Sequence, residues 1–437
     1  MANQIKNQSD IIAKLRIAAL NPMQEEAIAV IEKTGNTILL SPTGTGKTLA
    51  FLLPILKNLD EYNPEVQALI VVPTRELAIQ IEQVVRNMGS GFKVNAVYGG
   101  RAKSKDKIEL KHNPAILVGT PGRILDHFED DRFSRTSIKT LVLDEFDKSL
   151  EIGFESEMTE IFSLLPDLTK RILTSATQGV EIPEFVKLNN PTILDFLTEK
   201  KDLKLEIQTV VSHDKNKLGT LLQLLKHLGN KPGIIFCNFR DSIELVSDFL
   251  NENSISHTSF SGGMEQKDRE RALIKFRNRT SQILLATDLA ARGIDIPELK
   301  FIIHFELPHT EVEFIHRNGR TARVNEKGTA YVLKWKDQLL PEFIEKTEPI
   351  VIPQQDANMT QYWETLFISG GRKDKISKGD IAGLFIKEGG LASDQLGAIE
   401  LKQDCAFVAV PLALAQHLVN KLNNSKLKKK KVRIYIL

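Results

Sequence analysis

Cysteine is nearly absent from this chain: Cys237 and Cys405 are the only two in 437 residues. That excludes a disulfide framework and a thiolate zinc site, and it fits a reducing compartment. No apolar run approaches the ~20 residues needed to span a bilayer, so no membrane partner is expected. The stretch from Met1 to Asp10 is polar and lacks the apolar core of a signal peptide, which predicts a cytoplasmic protein. Aromatic residues are scarce, and none precedes Gln24. Net charge is also small, +2, but it is unevenly spread. Residues 364–437 hold 13 Lys+Arg against 7 Asp+Glu, whereas the preceding residues hold 45 against 49. A basic end on a mildly acidic body has two readings: an appended module for a polyanion such as nucleic acid, or a solvated lysine-rich tail.

What is present is the composition of a globular protein, 42% hydrophobic and 26% charged. Its length suggests about three domains. Short β-branched runs alternate with amphipathic stretches over the first two-thirds, the pattern of repeated βα units. The strands expected are Thr37–Leu40, Ala68–Val72, Ala115–Val118, Thr140–Leu143 and Arg171–Thr174. A second series follows at Gly233–Cys237, Gln282–Ala286, Lys300–His304 and Gly328–Leu333. Near-continuous apolar runs of this kind suit parallel strands buried on both faces. The charged stretch Thr198–Leu205 reads as a linker between the two series, and Glu342–Asn358 as a lead-out from the second. A third unit then shows strand-like Thr365–Ser369, helix-like Lys378–Phe385, strand-like Ala406–Val410, helix-like Leu412–Asn423 and a last strand Val432–Leu437. Its second strand is poorly marked. The expected domains are residues 1–200, 206–350 and 362–437.

Two motifs carry chemistry. Ser41-Pro42-Thr43-Gly44-Thr45-Gly46-Lys47-Thr48 follows the first strand and precedes the helical run Leu49–Leu59. The glycines let backbone N–H groups turn onto phosphates, and the helix that follows adds its positive end. Lys47 is placed to reach the outer phosphates and the Thr48 hydroxyl to ligate Mg2+. Ser41 stands where this pattern usually begins with glycine. About a hundred residues on, Asp144-Glu145-Phe146-Asp147 caps the apolar run Leu141-Val142-Leu143. Asp144 would hold the metal, largely through water, and Glu145 would polarise the attacking water. Neither motif alone is decisive, but in this order they describe a metal-assisted nucleotide-hydrolysis site.

A longer series of motifs surrounds these two. Asn21-Pro22-Met23-Gln24, Pro73-Thr74-Arg75-Glu76-Leu77-Ala78, Gly99-Gly100, Thr120-Pro121-Gly122-Arg123 and Ser175-Ala176-Thr177 lie in the first domain. Gln266 with Arg269, Ala286-Thr287-Asp288, Arg292-Gly293-Ile294-Asp295 and His316-Arg317-Asn318-Gly319-Arg320-Thr321-Ala322-Arg323 lie in the second. With them the chain resembles the DEAD-box ATP-dependent RNA helicases. The resemblance implies an α/β fold of two tandem RecA-like parallel-sheet domains plus a small C-terminal α+β domain. It also implies an RNA-dependent ATPase that uses ATP and Mg2+. Gln24 would read adenine; Thr43, Gly44, Thr45, Gly46, Lys47 and Thr48 would hold the phosphates. Gly293 and Asp295 would meet the nucleotide, Asp295 at the ribose. Arg320 and Arg323 would enter from the second domain as arginine fingers. RNA contacts carried over fall on Pro73, Thr74, Arg75, Gly99, Gly100, Thr120, Gly122, Arg123, Gln266, Arg269 and Thr287. Such contacts grip phosphate and sugar and carry no base information. Asp147, Ser175, Thr177, His316 and Arg317 would couple RNA binding to hydrolysis.

Three departures from the family pattern stand out. The adenine-stacking aromatic would fall near Asn7, Phe146 replaces the usual alanine, and Asn318 and Ala322 replace an aliphatic residue and glycine. Phe146 is expected to pack inward beside the strand, unless it crowds the Ser175–Thr177 turn.

The last segment resembles the RNA-binding domain of DbpA-type bacterial DEAD-box proteins, an RRM-like fold. The matching stretches are Phe367 to Lys373 with Lys375, then Lys378-Gly379-Asp380-Ile381, and Phe407-Val408-Ala409-Val410. Arg372, Lys373 and Lys375 are expected to grip phosphates, together with Lys426, Lys428 to Lys431 and Arg433. Phe407 is the single aromatic at the expected stacking positions, and it reads either as a platform for bases or as core. The resemblance implies a hairpin of 23S ribosomal RNA as target, in ribosome biogenesis, with the protein acting as a monomer. An ATP-gated RNA clamp or chaperone, and a DNA helicase, are the alternatives.

Overall fold

The computed structural model describes residues 6–151, 153–177, 181–197, 205–288, 299–321, 328–353 and 360–437. The chain divides into two units at residues 203 and 204. In the first unit β1 (Asn36–Leu40), β2 (Ala68–Val71), β3 (Val94–Val97), β4 (Ile116–Gly119), β5 (Thr140–Leu143), β6 (Lys170–Ser175) and β7 (Thr192–Asp195) form one sheet. Its order is β3-β4-β2-β5-β6-β1-β7, and every pairing is parallel.

Successive strand residues serve opposite faces, as the pleat requires. Ile70, Val118, Val142 and Ile172 enter one apolar cluster, while Leu69, Val71, Leu117, Leu141, Leu143 and Leu173 enter the other. Each fully buried aliphatic side chain contributes about 1.5–3 kcal/mol. Both faces being covered by helices, the inner strands read as unbroken apolar runs. The nucleotide motifs follow the carboxyl ends of these strands, where an open parallel sheet places its ligands.

The second unit opens with β8 (Leu205–Ser212), β9 (Gly233–Phe236), β10 (His257–Phe260), β11 (Ile283–Ala286), β12 (Phe301–His304) and β13 (Gly328–Trp335). They form a parallel sheet ordered β10-β11-β9-β12-β13-β8. The same unit ends in β14 (Trp363–Ile368), β15 (Ile399–Leu401), β16 (Ala406–Pro411), β17 (Lys426–Leu427), β18 (Lys430–Lys431) and β19 (Ile434–Ile436). There the sheet is antiparallel, β15-β16-β14-β19, with β17 and β18 as a separate hairpin. Helices Lys378–Gly383 and Leu412–Leu422 cover one face through Ile381, Ala415 and Leu418. The fold class expected from the sequence is the fold observed.

The stretch expected to lead out from Glu342 instead runs back along β8: Ile350 N donates to Thr209 O at 2.9 Å, and the Thr347 and Thr209 hydroxyls are bonded at 2.8 Å. Ile344 completes a small apolar cluster with Phe314 and Val332, so burial rather than polarity decides the path. Residues 198–204 and 354–359 lie outside the described residues.

His304, at the end of β12, is fully buried; Nε2 meets Asn318 Oδ1 at 3.1 Å. Asn318, a departure from the family pattern, is thus the polar partner this histidine needs. Burial and the Arg317 charge push the His304 pKa down to about 3. The unfolded chain takes up a proton near pH 6.5, whereas the folded chain refuses it until about pH 3. Stability of the second unit therefore falls as pH drops through that window. Urea denaturation should show a loss of order 1–2 kcal/mol between pH 6.5 and 5, much reduced in His304→Gln.

Candidate functional site

The phosphate loop is built on Gly46, which N-caps the helix Lys47–Asn58 at φ +90°. A Cβ there would collide with the Gln24 amide, so only glycine allows this approach. Gln24 and Asn21 form a reciprocal cap on the helix Pro22–Lys33. Gln24 N donates to Asn21 Oδ1 at 2.9 Å, and Asn21 N donates to Gln24 Oε1 at 3.0 Å. The same pair reaches the loop: Asn21 Nδ2 donates to Thr45 O at 2.9 Å and Gln24 Nε2 to Gly46 O at 3.3 Å. An amide has two donor and two acceptor positions, so one of each remains on Gln24. Within the loop, the Ser41 and Thr45 hydroxyls are bonded at 2.8 Å. Ser41, in the usual glycine position, thus braces the turn. The Lys47 ammonium donates to the carbonyls of Ser41 and Pro42. Thr43, Gly44 and Thr48 complete the loop; Gly44 is exposed and Thr48 half-buried.

The acidic box sits at the tip of β5. Asp144 is buried, and Thr174 of β6 donates its hydroxyl to Asp144 Oδ1. Burial raises the Asp144 carboxyl above the ordinary aspartate value; the Thr174 bond, the Lys47 charge and the Glu145 amide pull the other way. Thr174 Oγ1 also accepts from Glu145 N at 3.2 Å, fixing a residue held in the left-handed region at φ +51°. Among the described residues no cluster of three or more His, Cys, Asp or Glu is placed to hold a metal. A buried carboxylate near Lys47, with the Thr48 hydroxyl, nevertheless fits Mg2+, which keeps several waters and takes few protein ligands.

A second hydroxyl bridge lies one step away. Thr177 Oγ1 donates to Asp147 Oδ2 at 2.9 Å, and Ser175 Oγ donates to Thr177 O at 2.9 Å while accepting from Thr177 N at 3.0 Å. Phe146 is buried in the apolar cluster with Leu143, Met158 and Ile161, and the Ser175–Thr177 turn keeps its bonds. The large ring packs inward, as expected.

The motifs expected to touch RNA in the first domain also converge. Thr74 caps the helix Arg75–Met88 through Leu77 N at 3.3 Å, and Pro73 is buried before it. Arg75 lies against Gly99 and Gly100; a Cβ on Gly100, at φ +80°, would meet Arg75 Nη1 at 2.5 Å. Thr120 is half-buried and Gly122 exposed. Arg123 is buried and committed: Nε donates to Asp106 Oδ2 at 2.8 Å and Nη2 to Arg101 O at 2.7 Å. Asp106, which the sequence did not single out, also takes Arg101 at 3.3 Å and His127 at 3.2 Å. One buried carboxylate thereby ties the Gly99-Gly100 loop to the Thr120–Arg123 turn. Thr174 was likewise missed. Its only signal was a polar residue inside an apolar strand.

In the second unit Gln266 begins the helix Gln266–Arg277, and buried Arg269 lies over the Phe260 ring at 4.8 Å. Thr287 is half-buried. Arg317 is a hub: it pairs with both oxygens of Asp288 at 2.7 and 2.5 Å, and donates to Glu306 O and Asn238 Oδ1, each at 2.7 Å. His316 and Arg320 are buried beside it. Gly293, Asp295 and Arg323 lie outside the described residues. In the C-terminal domain Arg372, Lys373 and Lys375 are exposed. Lys430 on the β17–β18 hairpin donates to Asp374 at 2.8 Å, drawing two distant basic stretches together. Phe407 is not alone: its ring lies 5.6 Å from Phe367, which stacks on Tyr435 at 4.6 Å.

Three families match in succession: DEAD/DEAH box helicase over residues 21–185, helicase conserved C-terminal domain over 216–325, and DbpA RNA binding domain over 365–436. The ATP-dependent RNA helicase DbpA of Escherichia coli is 30% identical across 97% of this chain and 96% of its own length. The chain belongs to the DbpA-type DEAD-box RNA helicases. DbpA of Bacillus subtilis is also 30% identical, over 94% of the chain and 93% of its own length. Among solved structures, Saccharomyces cerevisiae Dbp5 bound to RNA and ADP BeF3 matches 75% of this chain and 87% of its own at 27% identity, with a TM-score of 0.67. The helicase is accordingly an RNA-dependent ATPase. No helix among the described residues is long and apolar enough to cross a membrane.

Removing Asp106 should cost more than a surface charge would, since buried Arg123 would keep only its longer 3.4 Å pairing with Asp126. Asp106→Ala is expected to lower the unfolding free energy of the first domain by about 3–5 kcal/mol in urea titration. Asp106→Asn, which keeps one acceptor oxygen for Arg123, should lose less.

Proposed function

We propose that the helicase pries apart short structured RNA locally, without translocating, and that its target is a hairpin of 23S ribosomal RNA during large-subunit assembly. It would act as a monomer in the cytoplasm. The observation that carries the reading is the pair of hydroxyl bridges, Thr174 to Asp144 and Thr177 to Asp147, because they join the hydrolysis site to the Ser175–Thr177 turn.

In this reading Gln24 offers its remaining donor and acceptor to adenine, while Thr43, Gly44, Thr45 and Gly46 present backbone N–H groups to the phosphates. Lys47 exchanges the Ser41 and Pro42 carbonyls for phosphate oxygens. Thr48 and, largely through water, Asp144 would hold Mg2+, which would supply charge neutralisation on the phosphates. Glu145, fixed by Thr174, orients the attacking water and takes its proton. Arg320 and Arg323 stabilise the transferring phosphoryl group, with Gly293 and Asp295 against the nucleotide. Thr74, Arg75, Gly99, Gly100, Thr120, Gly122, Gln266, Arg269 and Thr287 grip the RNA backbone, with Pro73 shaping the turn. Arg123 contributes by placing that backbone, since its charge is already matched. Asp147, Ser175, Thr177, His316 and Arg317 carry the coupling. Arg372, Lys373 and Lys375 supply the phosphate grip that brings the core to its hairpin.

Two measurements test this. Glu145→Gln should lose at least about 100-fold in kcat while still binding RNA in an ATP-dependent way; normal turnover would refute the assignment. Arg372→Ala/Lys373→Ala/Lys375→Ala should weaken ATPase stimulation by a ribosomal hairpin fragment about tenfold in apparent KM, with total RNA still stimulating and single-stranded DNA inert. An unchanged hairpin preference would remove the targeting role.

A further inference from the structure

Four strands of the second parallel sheet end level with one another. Phe260 of β10 stands opposite Ala286 of β11, Ala286 opposite Phe236 of β9, and Phe236 opposite His304 of β12. Being parallel, these strands deliver whatever follows them to one edge of the sheet. Thr287 follows β11 there, and the segment after β10 runs through Gly262 and Gly263 into Gln266. β9 delivers Asn238, Phe239 and Arg240 to the same edge, and β12 delivers Glu306 to His309. Phe239 and His309 belong to none of the motifs named above.

Phe239 does nothing for the fold where it stands. It is the N-cap of the helix Arg240–Glu252, in extended backbone at φ −123° and ψ 156°, and its side chain caps nothing. That position favours Ser, Thr, Asp or Asn, whose oxygen satisfies a helix N–H. Nor does the ring enter the core, since Phe239 is 60% exposed. It meets His309 edge to face, with centroids 6.3 Å apart and planes inclined at 61°. His309 is itself held. Asn238 Nδ2 donates to its Nε2 at 3.1 Å, and its backbone N donates to Glu313 Oε2 at 2.7 Å. Asn238 Oδ1 in turn accepts from Arg317 at 2.7 Å. On the other side Arg240 lies against Gly263, where an added Cβ would meet its Nη1 at 2.8 Å. Arg240 also pairs with exposed Glu244 at 3.0 Å, and its guanidinium keeps to the surface between Phe239 and the Gln266 loop.

We propose that Phe239, braced by His309, is a platform on which one unpaired RNA base stacks as the backbone passes Gln266 and Thr287. The proposal rests on the reading above that those two residues meet RNA. An open aromatic ring beside a cation and a phosphate-gripping edge suits a nucleotide, because every base has a π-face to offer. A base within a duplex is already stacked on both sides. The platform therefore takes a base freed from its neighbours, and it favours the separated strand over the duplex. It adds affinity to the phosphate and sugar contacts without reading sequence. Through Asn238 the platform is bonded to Arg317, so its occupancy bears on a residue assigned to coupling.

The test uses the full chain, a non-hydrolysable ATP analogue and a fluorescent single-stranded oligoribonucleotide. Phe239→Thr should weaken binding about tenfold, while Phe239→Trp should stay within about twofold of the native chain. Threonine supplies the missing cap, so Phe239→Thr should also melt about 2–4 °C higher. A gain in stability with a loss in affinity separates the platform from damage to the fold. An abasic nucleotide walked along the oligonucleotide should cost the native chain about tenfold at one position and cost Phe239→Thr nothing there. Identical abasic profiles in the two chains, or native affinity in Phe239→Leu, would overturn the proposal. Gln266→Ala is measured alongside. A loss there with none in Phe239→Thr removes the platform and leaves the RNA-contact reading standing, whereas no loss in either removes both.

Discussion

Everything in the first domain turns on a carboxylate buried at the tip of a parallel strand. Asp144 is out of water, so its charge must be met by something: the Thr174 hydroxyl, the nearby Lys47 ammonium and, in the proposed mechanism, a hydrated Mg2+. Desolvation makes the site costly without those partners and responsive to them. Thr174 serves twice, accepting from the Glu145 amide as it donates to Asp144. The strand that carries it ends in Ser175. A change at the turn is therefore one residue from Thr174, the partner of Asp144.

The second unit uses the same device with the opposite charge. Arg317, buried under the sheet's end, gathers Asp288, Glu306 and Asn238 and lies over the Phe236 ring. A guanidinium with five donors suits such a hub, and a lysine could not meet three partners in one plane. In the first domain Asp106 plays the complementary part, holding Arg123, Arg101 and His127. In each case a motif residue, Arg317 expected to couple and Arg123 expected to touch RNA, is a fastening between loops.

Apart from the short β17–β18 hairpin, the strands missed in the sequence share one physical cause. β3 and β7 are the edges of the first sheet, β8 and β10 of the second, and β15 of the third. Inner strands are buried on both faces and appear as apolar runs. Edge strands meet fewer neighbours and tolerate Asn95, Thr192, His257 or Glu400 within them, which erases the run. Leu205 was placed in a linker for that reason and begins β8 instead. The aromatic row had a different cause: Phe367, Phe407 and Tyr435 are separated by 40 and 28 positions, and only strand register brings their rings together.

By itself the sequence determined the chemistry. Phosphate-loop glycines, paired acidic residues and the ordered motifs are local patterns, and local spacing dictates which groups follow which strand. It also determined the fold class, through the period of its apolar residues. Tertiary structure alone decided what those groups are bonded to. Whether Arg123 is a free charge or a matched one, whether Phe146 packs inward, and what braces the Phe239 ring all depend on partners far along the chain. Asp106, Met158 and His309 are such partners, and no spacing rule connects them. Hydrogen bonds and apolar contacts act over a few ångströms in space, while a sequence records only distance along the backbone.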